Sequence, residues 1–272
     1  MSSFNSISPD KLARLVDTPR CPVLIDVRTD EDLAADPRLI PAAIRRPYGH
    51  APDWAGDFIH QKVIVICQKG LELSQGVAAW LREAGAGADV LEGGSEAWRR
   101  AGLPMVPIAR LPAHDRRGRT VWVTRSRPKI DRIACPWLIR RFVDPSAVFL
   151  FVAPSEVEAV AERFDATRFD IEGVFWSHRG ERCTFDVMVE EFELRTEPLL
   201  QLATIVRAAD TARLDLMPQA SGLLAALLGL SRMYADDLEQ LDAGLALYDA
   251  FYRWCRDATD ETHNWPTNKP RD

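Results

Sequence analysis

The stretch Val63-Ile64-Val65-Ile66-Cys67-Gln68-Lys69-Gly70 constrains the fold more than any other part of the 272-residue chain. Four consecutive β-branched residues favour extended backbone, and a strand covered on both faces shows no polar alternation. Residues 62–67 are therefore expected to form a buried strand. Gly70 marks a short loop. Residues 74–84 then read as a helix, with Ser74 at its N-cap and Gly85 past its end. This order puts a thiol where a strand gives way to a helix N-terminus. Backbone N–H groups and the helix dipole favour negative charge there and lower a cysteine pKa. A thiolate so placed can attack electrophilic sulfur, arsenic, phosphorus or selenium while the loop cradles the anion. A buried structural cysteine at a strand end has the same local pattern, so the flanks must decide between the two.

The flanks continue the alternation. Helices are expected over residues 10–17, 31–35 and 95–101, and strands over 23–27 and 88–91. Strand and helix in turn imply a mainly parallel sheet covered on both faces. Pro104, Pro107 and Pro112, followed by Arg116-Arg117-Gly118-Arg119, make a stiff and then polar connector. The expected organisation is a domain over 1–105, a linker over 106–119, a second domain over 120–258 and a polar tail over 259–272.

Three segments flank or hold the thiol in order. They are Val23-Leu24-Ile25-Asp26-Val27-Arg28, the Cys67-x-x-Gly70 loop, and Leu91-Glu92-Gly93-Gly94-Ser95-Glu96-Ala97-Trp98 closing on Ala101-Gly102-Leu103-Pro104. Each is weak alone, but the ordered set resembles the rhodanese family. The resemblance implies a parallel-sheet α/β domain in which Cys67 is a sulfurtransferase nucleophile carrying a persulfide. It also implies an anion-binding loop of Gln68, Lys69, Gly70, Leu71, Glu72, Leu73 and Ser74, supported by Asp26 and Arg28. Two departures stand out. The family's Gly-His-Ile-Pro-Gly-Ala segment is degenerate here as Leu39-Ile40-Pro41-Ala42-Ala43-Ile44. The loop is one residue longer than in sulfurtransferases, as in the arsenate reductases and phosphatases of the same fold. Those hold a tetrahedral dianion with an arginine, whereas this loop has Lys69 opposed by Glu72.

The second half changes character. Strands are expected over residues 120–124 and 147–152, a helical pattern broken by Pro136 over 130–142, and a helix over 154–164. Helices follow over 184–192, 198–209, 219–233 and 236–256, a mostly helical α+β domain. Trp122-Val123-Thr124-Arg125-Ser126-Arg127-Pro128-Lys129-Ile130-Asp131-Arg132-Ile133-Ala134-Cys135-Pro136-Trp137 resembles the opening of the chromate-resistance ChrB-type domain. The likeness runs on through Phe169-Asp170-Ile171, Ser177-His178-Arg179-Gly180, Cys183-Thr184-Phe185-Asp186 and Ile205 to Asp210. It implies a part in chromate resistance, as sensor-regulator or accessory protein, and it is the only support for DNA as a partner. No helix-turn-helix pattern or stacking face is evident.

Polar residues set in apolar sequence mark a candidate pocket here. Asp131 and Cys135 share a helix face at i, i+4, His178 follows an aromatic pair, Asp186 lies beside Cys183, and Asp210 ends an apolar helix. A histidine with carboxylates and a cysteine suits iron, manganese or zinc, although no spacing here is a known metal signature. The alternative is a buried network in which Asp131 and Asp210 hold Arg132 and Arg207. Arg125, Lys129 and Arg132 flank the strand-to-helix passage and suit a chromate-like oxyanion instead. They belong to nine basic residues (Arg116, Arg117, Arg119, Arg125, Arg127, Lys129, Arg132, Arg140 and Arg141) set against a C-terminal body of 24 acidic and 12 basic groups. Such a stripe fits a small anion or a protein surface better than duplex DNA. Five scattered cysteines without Cys-x-x-Cys point to reduced thiols, and no signal peptide is evident, so a cytoplasmic protein is expected. The longest apolar run, residues 223–230, is too short to span a membrane. Expected partners are a small sulfur donor or acceptor, a chromate-like oxyanion, or another protein.

Overall fold

The structure is a computed structural model that describes residues 5–261, so most of the expected polar tail lies outside the described residues. The N-terminal part contains β1 (Ser6–Ile7), α1 (Pro9–Ala13), β2 (Val23–Asp26), α2 (Asp30–Ala35), β3 (Arg38–Leu39), β4 (Ala43–Arg45) and α3 (Ala51–Trp54). It continues with β5 (Lys62–Ile66), α4 (Glu72–Glu83), β6 (Gly87–Leu91), α5 (Gly94–Arg100) and β7 (Val106–Pro107). Five strands form one parallel sheet in the order β1-β6-β5-β2-β4.

The unbroken apolar run of β5 is explained by its place between two cores. Val63, Val65 and Cys67 face one core with Trp54, Val77 and Leu81, beneath α3 and α4. Ile64 and Ile66 face the other, with Leu12 and Trp98 from α1 and α5. Each such buried aliphatic side chain contributes roughly 1.5–3 kcal/mol. The expected strands and helices are all present, with altered ends. The first helix stops at Ala13, and Asp17 takes a left-handed φ of 75°. The pattern between residues 45 and 62 escaped sequence reading because it is built of single turns. Two 3-10 turns flank α3, and Trp54 meets Phe58 edge to face at 6.0 Å.

The C-terminal part contains β8 (Val121–Arg125), α6 (Asp131–Leu138), β9 (Val148–Val152), α7 (Val157–Phe164) and β10 (Thr167–Arg168). The helices α8 (Thr184–Glu191), α9 (Glu197–Asp210), α10 (Gln219–Met233) and α11 (Asp237–Asp257) follow. The three strands form a small parallel sheet, β10-β8-β9. Pro136 does not break α6. The helix runs on to Leu138 and then widens into a π turn over Ile139–Val143. Trp137 anchors the helical core, its ring packed on Phe142, Phe185, Tyr248 and Tyr252.

The two parts touch. The connector expected over 106–119 begins inside the first part, where β7 pairs with β3. Leu111 packs against both cores. The Ala42 N–H donates to the Phe142 carbonyl at 2.7 Å. Asp17 accepts from the Tyr252 hydroxyl at 2.8 Å and from Arg256 at 2.6 Å. No helix among the described residues is long and apolar enough to cross a membrane.

Candidate functional site

Cys67 follows the carboxyl end of β5, the place where parallel sheets present their sites. Cys67 is buried and faces the α4 side of the sheet. The Gly70 N–H donates to Sγ at 3.2 Å, and the Ser74 hydroxyl lies 3.2 Å from the same atom. Ser74 is not the N-cap of α4, as its spacing had led us to expect. The helix starts at Glu72, and Ser74 sits buried in its first turn. Its hydroxyl donates to the Leu71 carbonyl at 3.0 Å. One hydroxyl proton cannot serve that carbonyl and a thiolate together. The thiol can donate to Ser74 Oγ, and a thiolate would draw the hydroxyl proton away from Leu71.

The rest of the loop divides. The Gln68 amide is turned away onto α5, accepting from the Ser95 hydroxyl at 3.1 Å and donating to Glu96 at 3.3 Å. Leu73 packs on the core beneath α4, while Lys69, Leu71 and Glu72 are exposed, Leu71 at 55%. The loop holds its shape by locking into the turn before α5. The N–H groups of Ser95 and Glu96 donate to the carbonyls of Cys67 and Gln68. Asp26 and Arg28 stand one strand away as a buried pair. Arg28 donates from Nε to Asp26 at 2.8 Å and from Nη1 and Nη2 to the carbonyls of Asp36 and Arg38. They brace the end of β2 rather than line the thiol.

The second part brings a different set together. Asp131 opens α6 just beyond β8, Asp170 follows β10, His178 lies in the loop before α8, and Asp210 ends α9. His178 Nε2 is 3.2 Å from Asp210 Oδ2 and 3.5 Å from both Asp131 Oδ2 and Asp170 Oδ1. Asp131, His178 and Asp210, far apart in sequence, thus meet. Asp131 is 1% exposed and the His178 side chain 41%, so the cluster is open on the imidazole side. Asp131 Oδ2 accepts the first N–H groups of α8, from Thr184 at 2.5 Å and Phe185 at 3.4 Å. Burial, with the Asp210 and Asp170 carboxylates behind it, still pushes the Asp131 carboxyl up to about 7 against the pull of His178. Hydrogen bonding to Asp131, Asp170 and Asp210 pushes His178 up to about 12.

Asp170, read in the sequence only as part of Phe169-Asp170-Ile171, is not among the expected pocket residues. The available signal was an aspartate between Phe169 and Ile171 immediately after a short strand. Its backbone is left-handed, with φ 52°, a conformation aspartate tolerates better than most residues. Its Oδ2 faces Arg132 Nε at 3.3 Å and Arg125 Nη2 at 3.6 Å. Four expected pocket residues do different work. Cys135 lies in the core, its thiol pushed well up by burial. Asp186 caps α8 by accepting from the Cys183 N–H at 3.0 Å, and pairs with Arg207 at 3.0 Å. Lys129 is exposed. Arg125 stands at the edge of the cluster, against Asp170. The arginine network considered for this region exists with other partners. Arg207 holds Asp186, and Arg132 holds Asp170.

A family model for the rhodanese-like domain matches residues 8–101, and one for the ChrB C-terminal domain matches residues 122–255. Protein ChrB of Cupriavidus metallidurans is 34% identical over 132 residues, 48% of this chain and 39% of that protein. The chain therefore spans about two-fifths (39%) of the length of the curated relative it matches. A rhodanese-like domain protein from Staphylococcus aureus is 31% identical, over 35% of this chain and 91% of that one, with a TM-score of 0.32. A rhodanese-related protein from Thermoplasma volcanium is 24% identical, over 38% of this chain and 98% of that one, with a TM-score of 0.33. By its family matches, the chain joins a rhodanese-like domain over residues 8–101 to a ChrB C-terminal domain over residues 122–255.

Proposed function

We propose that the chain is a cytoplasmic thiol protein in which Cys67 carries sulfur as a persulfide, in the service of resistance to chromate or a related metal oxyanion. The observation that carries this reading is the pair of polar groups at the sulfur, the Gly70 N–H, which donates to it, and the Ser74 hydroxyl, which can turn its proton to a thiolate, each 3.2 Å from Sγ. Hydrogen bonds to a sulfur anion favour its formation. In the first step the Cys67 thiolate attacks the outer sulfur of a persulfide or thiosulfate donor. The new S–S bond forms as the donor's own bond to that sulfur breaks, and the donor leaves with the electron pair as thiolate or sulfite. An acceptor thiolate then attacks the terminal sulfur of the Cys67 persulfide and restores the Cys67 thiolate. No net oxidation occurs. The link to chromate rests on the ChrB C-terminal domain and on the likeness to Protein ChrB.

A second reading is favoured by the exposed face of the loop, where Leu71 stands between Lys69 and Glu72 and no arginine is present. There the rhodanese-like domain docks a partner and the second domain senses the oxyanion or a metal. One experiment separates the two. The protein is incubated with thiosulfate or a low-molecular-weight persulfide, and its peptides are mapped by mass. The expected result is one added sulfur atom on Cys67, lost in Cys67→Ala. Thiosulfate turnover is expected to be slow and to rise several-fold in Glu72→Lys, because removing the acidic group beside Lys69 leaves the loop more attractive to a dianion. No added sulfur with either donor would favour the docking reading.

A further inference from the structure

Three aspartates and one imidazole meet at the carboxyl edge of the small sheet. Asp131 and Asp170 follow the ends of the neighbouring strands β8 and β10. One ligand atom from each of Asp131, Asp170 and His178 can be chosen so that all lie within 4.8 Å of one another. Asp210 Oδ2 adds a fourth ligand atom, 3.2 Å from the imidazole nitrogen. Ligands at right angles around an ion with bonds of about 2.1 Å stand about 3 Å apart, a little inside the 3.2 to 3.5 Å found around His178.

Hydrogen bonding within the protein does not account for the cluster. A single ring nitrogen carries at most one hydrogen, yet three carboxylates surround it. Asp131 Oδ1 is wholly buried and has no hydrogen-bond partner among the described residues. A buried carboxylate oxygen left without a partner is costly, and native structures rarely tolerate one. Charge points the same way. Arg132 is committed to Asp170 and to the carbonyls of Arg125 and Ser126, and Arg125 also faces Asp170, so both guanidiniums are already paired and three carboxylates crowd one imidazole. Among the described residues, no cation of the centre is left free to hold chromate.

We propose that Asp131, Asp170, His178 and Asp210 bind one divalent first-row transition ion. Three carboxylates and an imidazole make a hard set with one borderline member, which suits manganese(II) or iron(II) and is wasted on magnesium. The surroundings hold the ligands in place. Thr184 donates from its backbone to Asp131 and from its hydroxyl to Asp170 at 2.9 Å, and Arg132 fixes the other Asp170 oxygen. The open imidazole side supplies the way in. The site is independent of Cys67.

The test uses the full chain after chelator treatment, with manganese(II) as the probe and its free-ion paramagnetic resonance signal as the readout. The expected result is one ion bound per chain, with manganese(II) at least about tenfold tighter than magnesium because of the imidazole. Asp131→Asn, Asp210→Asn and His178→Ala are each expected to weaken binding by about tenfold or more. Saturating manganese(II) should raise the Tm of the wild type by roughly 5 °C and leave the variants unmoved. If Asp131→Asn does not fold, Asp210→Asn at the helix end carries the test. Cys67→Ala and the exposed Asp242→Asn serve as controls that bind as the wild type does. Wild-type binding no tighter than that of Asp210→Asn and His178→Ala overturns the site. Equal affinity for magnesium and manganese overturns the assignment of the metal class.

Discussion

Cys67 and Asp131 hold comparable positions, each just beyond a strand of a parallel sheet and each met by backbone N–H groups. What separates them is the rest of the environment. The Cys67 sulfur is met by the Gly70 N–H and the Ser74 hydroxyl, whereas Asp131 has the Asp170 and Asp210 carboxylates beside it. The other four thiols are held protonated. Burial pushes Cys21 up to about 12, with Asp17 adding to it, and Cys255 up to about 11. Cys135 and Cys183 lie well above the usual thiol range for the same reason, with Asp131 close by. Iodoacetamide at neutral pH should therefore label Cys67 before any other cysteine. Peptide mapping after brief exposure checks this, and earlier labelling of the partly exposed Cys21 would contradict it.

The Cys67 loop and the turn before α5 are two halves of one device. Gly70 and Gly94 both have positive φ, at 71° and 59°. A Cβ on Gly94 would come within 2.3 Å of the Cys67 carbonyl oxygen, and one on Gly70 within 2.4 Å of the Leu91 carbonyl oxygen. Both obstacles are backbone and cannot swing aside. Gly94 thus lets α5 approach the loop and cap its carbonyls. Gly94→Ala should cost about 2 kcal/mol or more, from strain at φ and from the clash together. Urea unfolding of the two proteins measures it, and a loss below half that figure would show that the loop yields. Persulfide formation on Cys67 should fall in the same variant, since Gly70 and Ser74 would no longer be held against the sulfur.

Contact between the two domains is polar where α11 meets the chain after α1. Burial outweighs the Arg256 guanidinium and the Tyr252 hydroxyl, and holds the Asp17 carboxyl up at about 6. Arg256 stays charged at any working pH and adds nothing to the profile. Because the folded value lies above the ordinary 3.8, the folded state binds this proton more readily than the unfolded chain. The associated stability is complete below about pH 4 and is lost as the pH rises through 6, with an upper bound of about 3 kcal/mol. Urea midpoints should therefore be higher at pH 5 than at pH 8 in the wild type. Asp17→Asn should flatten that part of the slope. A difference between wild type and variant that does not change with pH would rule out Asp17 as its source.

Local pattern was enough for much of this molecule. The β-branched run of β5 announces a strand buried on both faces, because no polar residue interrupts it, and α10 falls on residues 219–233 as its apolar periodicity requires. Cys67 was legible for the same reason, since one strand, one loop and one helix place it. The turns over residues 48–58 were not, because single helical turns leave no period to read. Ser74 was misplaced because a cap and an inward-facing serine look alike until the loop's path is known. The acidic cluster lies at the other extreme. Its members span residues 131 to 210 and come from two helix ends, a strand end and a loop, so no spacing could reveal that Asp170 belongs and Asp186 does not. Only chain folding over those eighty residues brings them together, and side-chain partners such as Arg207 then decide which carboxylates are already satisfied.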